Sequence, residues 1–398
     1  MEKRDQSIFR LLSIFTLTRL VVSTAFRMVY PFLPALSRGL GVPVESVALA
    51  VSARSALGFL GPVLGAASDV RGRKKALVAA LMISGISLVA ISLFPNYQVF
   101  FLGLLISGGA SVLIDSSIHA YLGDRIPYEQ RGRAAAIVEL GWSLAFVVGI
   151  PMVGWLMARD GWSSPFLWMG TAILAAGGLM IFFVPELPPA SSSMQQLKIG
   201  LKEIFRVIPI MGLLLAMVIV IANQLVSIVF GVWLEQAYHL RLEELGAASS
   251  VIGIAGIAGV FTAIGMTDRL GKRRALFIGL SINSLSCLVL PLVSFHLWAA
   301  LGVLFIFYLT FEFNLTSLLP LMSSLSAQAR GAFMAGTLAM FSLGDSIGAL
   351  LGPLLFQGGM LANALVAVVF NILGLLLLLV FVKPVEFPQE AIMAKKVS

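Results

Sequence analysis

Charge is scarce in this chain: Asp, Glu, Lys and Arg make up 12% of its 398 residues, and apolar residues reach 59%. A typical soluble domain holds roughly 25% and 45–50%, and no single soluble core hides such an excess. A soluble enzyme and a large extramembrane domain are therefore excluded. One cysteine, Cys287, excludes an intrachain disulfide and a cysteine-rich metal site. The histidines, His119, His239 and His296, are scattered and support no metal centre. The chain lacks a nucleotide-binding loop, which excludes an ATP-driven pump, and no cofactor is expected. Alternating ten-residue stretches, the mark of an outer-membrane barrel, are also missing.

What is present is long apolar runs, such as Ile372 to Val382. A spanning helix needs about 20 mostly apolar residues, so twelve consume roughly 240 and leave short loops. The runs lie near 9–35, 44–67, 74–94, 98–122, 133–157 and 164–184, then near 207–235, 243–267, 274–294, 297–323, 332–356 and 361–382. The second six starts nearly reproduce the first six at an offset of 199, half the chain. Met1 to Phe26 has the basic start and apolar stretch of a signal peptide, but Arg19 interrupts it and no small-residue cleavage site follows, so it reads as a retained span. The fold class is all-α, with twelve transmembrane helices in two pseudo-symmetric six-helix bundles. The expected units are 1–185, a linker over 186–206, and 207–398.

Within the linker, Pro188, Pro189 and Ser191 to Ser193 precede an amphipathic stretch. Leu197, Leu201, Ile204 and Phe205 share one face, and Lys198, Lys202 and Arg206 are placed to meet lipid headgroups. The formal charge of +8 suggests no nucleic acid, because the cations sit beside apolar runs rather than on a soluble basic face. Of 27 Lys and Arg, Arg38, Arg159 and Arg241 fall in loops on one side and Arg19, Arg27 and Arg54 within spans; the rest lie on the side of both termini. By the positive-inside rule both termini are cytoplasmic, in a plasma membrane of bacterial inner-membrane type.

Two loops repeat. After span 2 the chain reads Gly65-Ala-Ala-Ser-Asp69-Val-Arg71-Gly72-Arg73-Lys74-Lys75-Ala76-Leu77, and after span 8 it reads Asp268-Arg269-Leu270-Gly271-Lys272-Arg273-Arg274-Ala275-Leu276. Both are tight glycine turns between helix ends, with a carboxylate able to cap a neighbouring helix and cations held at the headgroups. The stretch Asp124-Arg125-Ile126-Pro127-Tyr128-Glu129-Gln130-Arg131-Gly132 has an echo in Arg330-Gly331. These loops, the twelve spans, the linker and the duplication resemble the major facilitator superfamily, in its drug/proton antiporter-like branch. The resemblance implies two bundles that rock about a midplane site. It also implies that Asp69 caps a helix of the opposite half and that Arg73 pairs with Asp124, both latching the cytoplasmic side when the cavity faces outward. Gly149 to Gly154 in span 5 loosely matches the Gly- and Pro-rich pattern of proton-linked drug exporters, and Gly348 to Pro353 echoes it. The arginine those exporters carry in span 4 is absent, since that place, near Leu104, is apolar.

An ionised side chain at the centre of a span costs roughly 2.5–3.5 kcal/mol on insertion scales. Six such residues stand out: Arg19, Arg27, Arg54, Asp115, Glu312 and Asp345. Each reads either as substrate or proton binding or as an internal ion pair, with snorkelling to the outer surface a further option for Arg27. Asp115 shares its bundle with Arg19, and its repeat partner is Asn314, which suggests cavity-facing positions in both bundles. Tyr308, Phe311 and Asn314 add polar and aromatic character to span 10, and Asn223 and Gln224 in span 7 are amides that demand partners. The coupling candidates are Glu312, Asp345 and Asp115; the first two lie about 16–20 Å from the cytoplasmic end. Arg54 and Asp345, at equal depth in spans 2 and 11, are expected to pair across the halves as a gate. Gly344 to Gly348 fits a hydrolase pattern, but that elbow needs a strand-to-helix turn, so no enzyme is expected. The expected function is secondary active transport of a small amphipathic molecule, by proton-coupled efflux from a monomer whose other partners are protons and lipids. An importer or exchanger of organic anions and a lipid transporter are the alternatives.

Overall fold

The computed structural model describes residues 2–64, 72–186, 207–325 and 330–381, and among these every regular element is helical. Twelve helices are long and apolar enough to cross a membrane. Spans 1 to 6 are Phe9–Arg27, Val44–Leu64, Arg73–Leu93, Tyr97–Arg125, Gln130–Asp160 and Ser164–Phe183. Spans 7 to 12 are Ile210–Tyr238, Leu242–Leu270, Lys272–Val293, Leu297–Ser323, Phe333–Phe356 and Met360–Val380. The amphipathic stretch of the linker lies outside the described residues.

Helix ends follow local chemistry. The Asn96 side chain accepts the Val99 N–H at 2.9 Å and starts span 4. Gly72 and Gly271, at φ +92° and +81°, occupy the conformation that starts spans 3 and 9. Span 1 is shorter than its apolar run. Its helix stops at Arg27 and resumes as Leu33–Leu40, because Pro31 and Pro34 remove donors from the ladder and disfavour α geometry just before them. Span 7 breaks similarly, between Ser227 and Phe230. There Gly231 lies on the Pro31 main chain, where a Cβ would come within 2.8 Å of its Cα, so the two broken helices touch at one end of the molecule.

The packing repeats with the sequence. In the first half span 1 packs on spans 5 and 6, span 3 on 4 and 6, and span 2 on 4; the second half repeats this as 7 on 11 and 12, 9 on 10 and 12, and 8 on 10. Two seams join the halves, span 2 with span 11 and span 5 with span 8. Large apolar side chains such as Phe261, Ile264, Phe182 and Val369 remain exposed on the outside of the spans, as lipid contact requires.

Both seams are built for close approach. A Cβ on Gly154 would meet the Leu242 carbonyl oxygen at 2.6 Å and the Gly246 Cα at 3.3 Å, and one on Gly253 would meet Phe146 and Val147 at 2.8 Å. In the other seam the Ser52 hydroxyl reaches the Ser346 carbonyl at 2.8 Å and its hydroxyl at 3.0 Å. Beyond the seams, Arg38 pairs with Glu235 at 2.6 Å, and Gln357 donates to Glu45 at 3.2 Å. These contacts gather at the end remote from the basic loops. Toward those loops the halves part, leaving the polar side chains of Asp115, His119 and Glu139 about 40–50% exposed inside a cleft. The structure is closed at one end and open at the other.

A leucine at Gly154 would wedge the span 5–span 8 seam, because backbone atoms in its path cannot yield. Gly154→Leu is expected to lower transport about tenfold or more. It should also raise labelling of a cysteine at Ser249, in a Cys287→Ser background, by an impermeant thiol reagent added on the Arg241 side.

Candidate functional site

A cavity of about 140 Å³ lies between the halves, lined by Arg19, Phe26, Arg54, Ser55, Asp115 and Trp142 of the first half and by Ser342 and Asp345 of the second. Asp345, on span 11, accepts hydrogen bonds from Ser55 at 2.9 Å and Tyr30 at 3.3 Å. Both donors belong to the first half, so this carboxyl group ties the halves together at mid-span. Arg54 makes no ion pair with it, contrary to the pairing expected from depth. Its guanidinium lies on the Phe26 ring at 3.8 Å and gives Nη1 to the Phe26 carbonyl at 2.9 Å. Gly108 of span 4 leaves room for its stem. A cation therefore stands beside span 4, where the exporters' own arginine is missing, but it comes from span 2. Its Nε and Nη2 are buried without hydrogen-bond partners.

Arg27 does not snorkel. Its guanidinium sits 3.5 Å from the Trp142 ring centroid and 4.6 Å from that of Phe146, with Nε buried and unpartnered. The second-half charges that act on it through space are Glu312 and Asp345. Glu312 rests against the Gly256 and Gly259 stripe of span 8, where glycine makes room for its stem. Arg27 and Glu139 of the first half act on it through space.

Arg19 is engaged within its own half. It contacts Asp115 directly and Glu139 at 3.3 Å, and His119 reaches Glu139 at 3.2 Å. Asp115 is thus held by an arginine, unlike Glu312. In span 7, Gln224 lies beside Tyr30 with its Nε2 buried and unpartnered. Tyr308 donates to Ser227 at 3.0 Å, and Ser227 donates to Asn223 at 3.0 Å, a buried chain inside the second half.

Two expectations for span 10 need correction. Asn314 is 1% exposed, with its side chain against Gly279 of span 9, and Phe311 packs on the apolar cluster around Leu318 and Met322. Neither lines the cavity, because their faces of the helix turn toward neighbours of the same half. Sequence reasoning missed Tyr30, Ser55, Trp142 and Glu139. Glu139 carried a signal, as a carboxylate inside an apolar run. The hydroxyls and aromatic rings carried none, since such residues are common in spans.

The basic loops contact the same places in each half. Arg73 pairs with Asp124 and the Ala120 carbonyl, and Lys74 donates to Ile181 at 2.8 Å. Their repeat partners Lys272 and Arg273 donate to Pro320 at 3.2 Å and Leu379 at 2.6 Å. Arg131 donates to the Ile126 carbonyl at 3.0 Å. Asp268 is exposed, and Gly65 and Asp69 lie outside the described residues. The Arg73–Asp124 contact joins spans 3 and 4 of one half while the cleft on that side is open, so it is not by itself a latch between the halves.

The chain matches the sequence profile of the Major Facilitator Superfamily over residues 15–336 and, separately, 212–394. It belongs to that superfamily and is a membrane transporter, not an enzyme. An uncharacterized MFS-type transporter, YwfA of Bacillus subtilis (strain 168), is 28% identical over 363 residues, covering 88% of this chain and 86% of that protein. Multidrug resistance protein 2 of the same organism is 24% identical over 306 residues, covering 74% and 76%. A bacterial homolog of the human lysosomal transporter Spinster, crystallised in an inward-facing and unoccupied conformation, superposes with a TM-score of 0.78 at 15% identity, covering 95% of this chain and 97% of that one.

If Ser55 and Tyr30 hold the halves together through Asp345, removing either donor should loosen the closed end. An unsatisfied buried carboxylate costs about 1–3 kcal/mol. Ser55→Ala and Tyr30→Phe should each raise the population separated between spin labels at Glu45 and Gln357 by roughly five- to 150-fold. In an Asp345→Asn background the effect should largely vanish.

Proposed function

We propose that this protein exports small amphipathic compounds in exchange for protons, by alternate opening of the cleft between its halves. The observation that carries this reading is the state of the two second-half carboxyl groups. Glu312, set against Gly256 and Gly259, makes no hydrogen bond or ion pair among the described residues, and Asp345 is the mid-span tie between spans 11 and 2. A carboxylate accepts strong charge-assisted hydrogen bonds, and a protonated carboxyl group accepts weaker ones. Proton binding at Asp345 therefore loosens the seam, which gives the exchange a mechanical step. The aromatic surfaces of Phe26 and Trp142 offer the apolar contact an amphipathic substrate needs. Similarity to a protein named for multidrug resistance supports efflux.

In this reading residues 1–185 and 207–398 move as two bodies joined by 186–206. Both termini face the cytoplasm of a bacterial-type plasma membrane, and the cleft of this structure is open inward. Gly72, Arg73 and Asp124, with Asp268, Gly271 and Arg273, shape the cytoplasmic rim over which the halves close. The working unit is a monomer.

Transport into proteoliposomes with and without an imposed pH gradient tests the reading. Gradient-dependent movement is expected in the unaltered protein and is expected to be lost in Glu312→Gln and in Asp345→Asn. Transport indifferent to the gradient, or both variants keeping full gradient-driven transport, would sink it.

A further inference from the structure

The cavity between the halves is short of acceptors, not of donors. On its lining the buried polar atoms without a hydrogen-bond partner are Arg54 Nε and Nη2, Arg19 Nε and the Ser23 hydroxyl. The lining carboxyl groups already have donors, Asp115 from Arg19 and Asp345 from Ser55 and Tyr30. The other lining hydroxyls already have acceptors: Asp345 for Ser55, the Gly108 carbonyl at 2.7 Å for Ser111, and the Leu338 carbonyl at 3.2 Å for Ser342. Ser23 also departs from the habit of its own helix. Thr18 and Thr24 of span 1 turn their hydroxyls onto the Ile14 and Leu20 carbonyls, at 2.8 Å each, whereas Ser23 makes no such bond.

Arg54 is set in place before any ligand arrives. Its guanidinium lies on Phe26, and its Nη1 takes the Phe26 carbonyl, which the helix leaves open by ending at Arg27. The Tyr30 N–H, which would continue the ladder to Phe26, turns instead to the Arg27 carbonyl at 3.1 Å. Nε and Nη2 form the remaining edge of the guanidinium, where the N–H bonds run parallel and an oxygen can take both. A donor pair fixed in this way loses little freedom on binding. Arg19, Ser23 and Phe26 recur at helical spacing along one face of span 1, so Ser23 stands one turn from the ring that carries Arg54.

The charges around the cavity decide what kind of oxygen fits. On the lining Arg19 and Arg54 are balanced by Asp115 and Asp345, and Glu139, which shares Arg19, adds one more negative charge beside them. A carboxylate head would bring a further negative charge to a site already balanced. An ammonium head would leave both N–H groups of Arg54 unpaired beside a second cation, at the cost that makes recognition by buried polar groups selective. We infer that the polar end of the substrate is an uncharged carbonyl group, as in an amide, ester or ketone, on an aromatic or other apolar body. Its oxygen accepts from the free edge of Arg54 and from the Ser23 hydroxyl, and its body lies against Val22, Val112 and Trp142 of the same lining. This assignment rests on the proton-exchange reading above, in which Asp345 is ionised while substrate occupies the cleft.

The test uses the purified full chain and two sets of probes that share a body and differ at the head. Naphthalene-2-carboxamide, its methyl ester and carboxylate counterparts, 2-naphthylmethylamine and 2-ethylnaphthalene form one set. Indole-3-acetamide, methyl indole-3-acetate, indole-3-acetate, tryptamine and 3-ethylindole form the other. Affinities come from thermal shifts measured over a concentration series. In the sets that bind, the amide and ester are expected to bind at least about tenfold more tightly than the carboxylate, the amine and the hydrocarbon. Arg54→Met should weaken the amide and ester roughly ten- to 150-fold and leave the hydrocarbon within about twofold. Ser23→Ala, a small change within a helix, should weaken the same two probes roughly two- to tenfold, and it decides alone if Arg54→Met does not fold. The inference is overturned if neither amide binds, if the carboxylate or the amine binds as tightly as the amide, or if the preference is undiminished in Ser23→Ala or in a folded Arg54→Met. In proteoliposomes, amide transport indifferent to a pH gradient, with the preference intact, would remove the proton-exchange reading and leave the contacts with Arg54 and Ser23 standing. Gradient-driven transport of the carboxylate or the amine, with no preference for the amide, would do the reverse.

Discussion

A charge inside the membrane must be compensated by the protein around it, and this structure is organised by how each compensation is made. Arg19 takes two carboxylates, Asp115 and Glu139, so its charge is engaged within its own half. Arg27 and Arg54 are compensated by aromatic faces and one backbone carbonyl, which satisfies them in part. Asp345 is satisfied by two hydroxyl groups of the opposite half, which converts a local electrostatic need into a contact between moving bodies. Glu312 has only charges at a distance. The order from Arg19 to Glu312 is one of decreasing satisfaction, and for groups buried at mid-span it is also an order of increasing readiness to bind something else.

Close helix approach makes this arrangement possible. Little hydrophobic force drives helices together in lipid, so small residues and interhelical hydrogen bonds carry association. Gly154, Gly246 and Gly253 bring spans 5 and 8 together on one side, and Ser52, Ser55 and Gly58 do so for spans 2 and 11 on the other. The second half adds Asn363, which donates to the Leu225 and Gly352 carbonyls at 2.7 and 2.8 Å and fixes spans 7 and 11 to span 12. Fixed relations within a half and sliding contacts between halves are what rocking requires.

The fold was legible in the sequence because its signals are long and redundant: apolar runs, their punctuation by charge, and a repeat at half the chain length. The breaks in spans 1 and 7 escaped; in span 1 Pro31 and Pro34 interrupt an apolar run that stays apolar on both sides. The site was legible as a set of charges but not as a set of contacts. Depth placed Arg54 and Asp345 level with one another, yet helix rotation turns Arg54 toward Phe26 and leaves Asp345 to Ser55 and Tyr30. The repeat suggested that Asn314 should face the cavity as Asp115 does, and Asn314 instead abuts Gly279. Symmetry in the chain constrains where helices go more tightly than it constrains which face of a helix carries chemistry.

That difference between backbone and side-chain symmetry bears on how the transporter works. Shifted by half the chain, Arg54 corresponds to Gly253 and Asp345 to Phe146. Gly253 and Phe146 meet in the span 5–span 8 seam, whereas in the span 2–span 11 seam Arg54 turns away and Asp345 accepts from Ser55, whose own counterpart is Ile254. The two seams thus occupy equivalent places in the fold but are closed by different contacts, one by a glycine against an aromatic ring and the other by hydroxyl groups against a carboxyl group. The apolar seam gains or loses van der Waals contact as the halves move, and no proton alters its strength. The polar seam depends on whether Asp345 is charged. A symmetric backbone allows the cleft to open at either end with similar packing. In the proton-exchange reading proposed above, a carboxyl group on one seam alone makes that otherwise balanced motion responsive to protons, and it does so with one titratable side chain rather than a matched pair whose charges would have to change together.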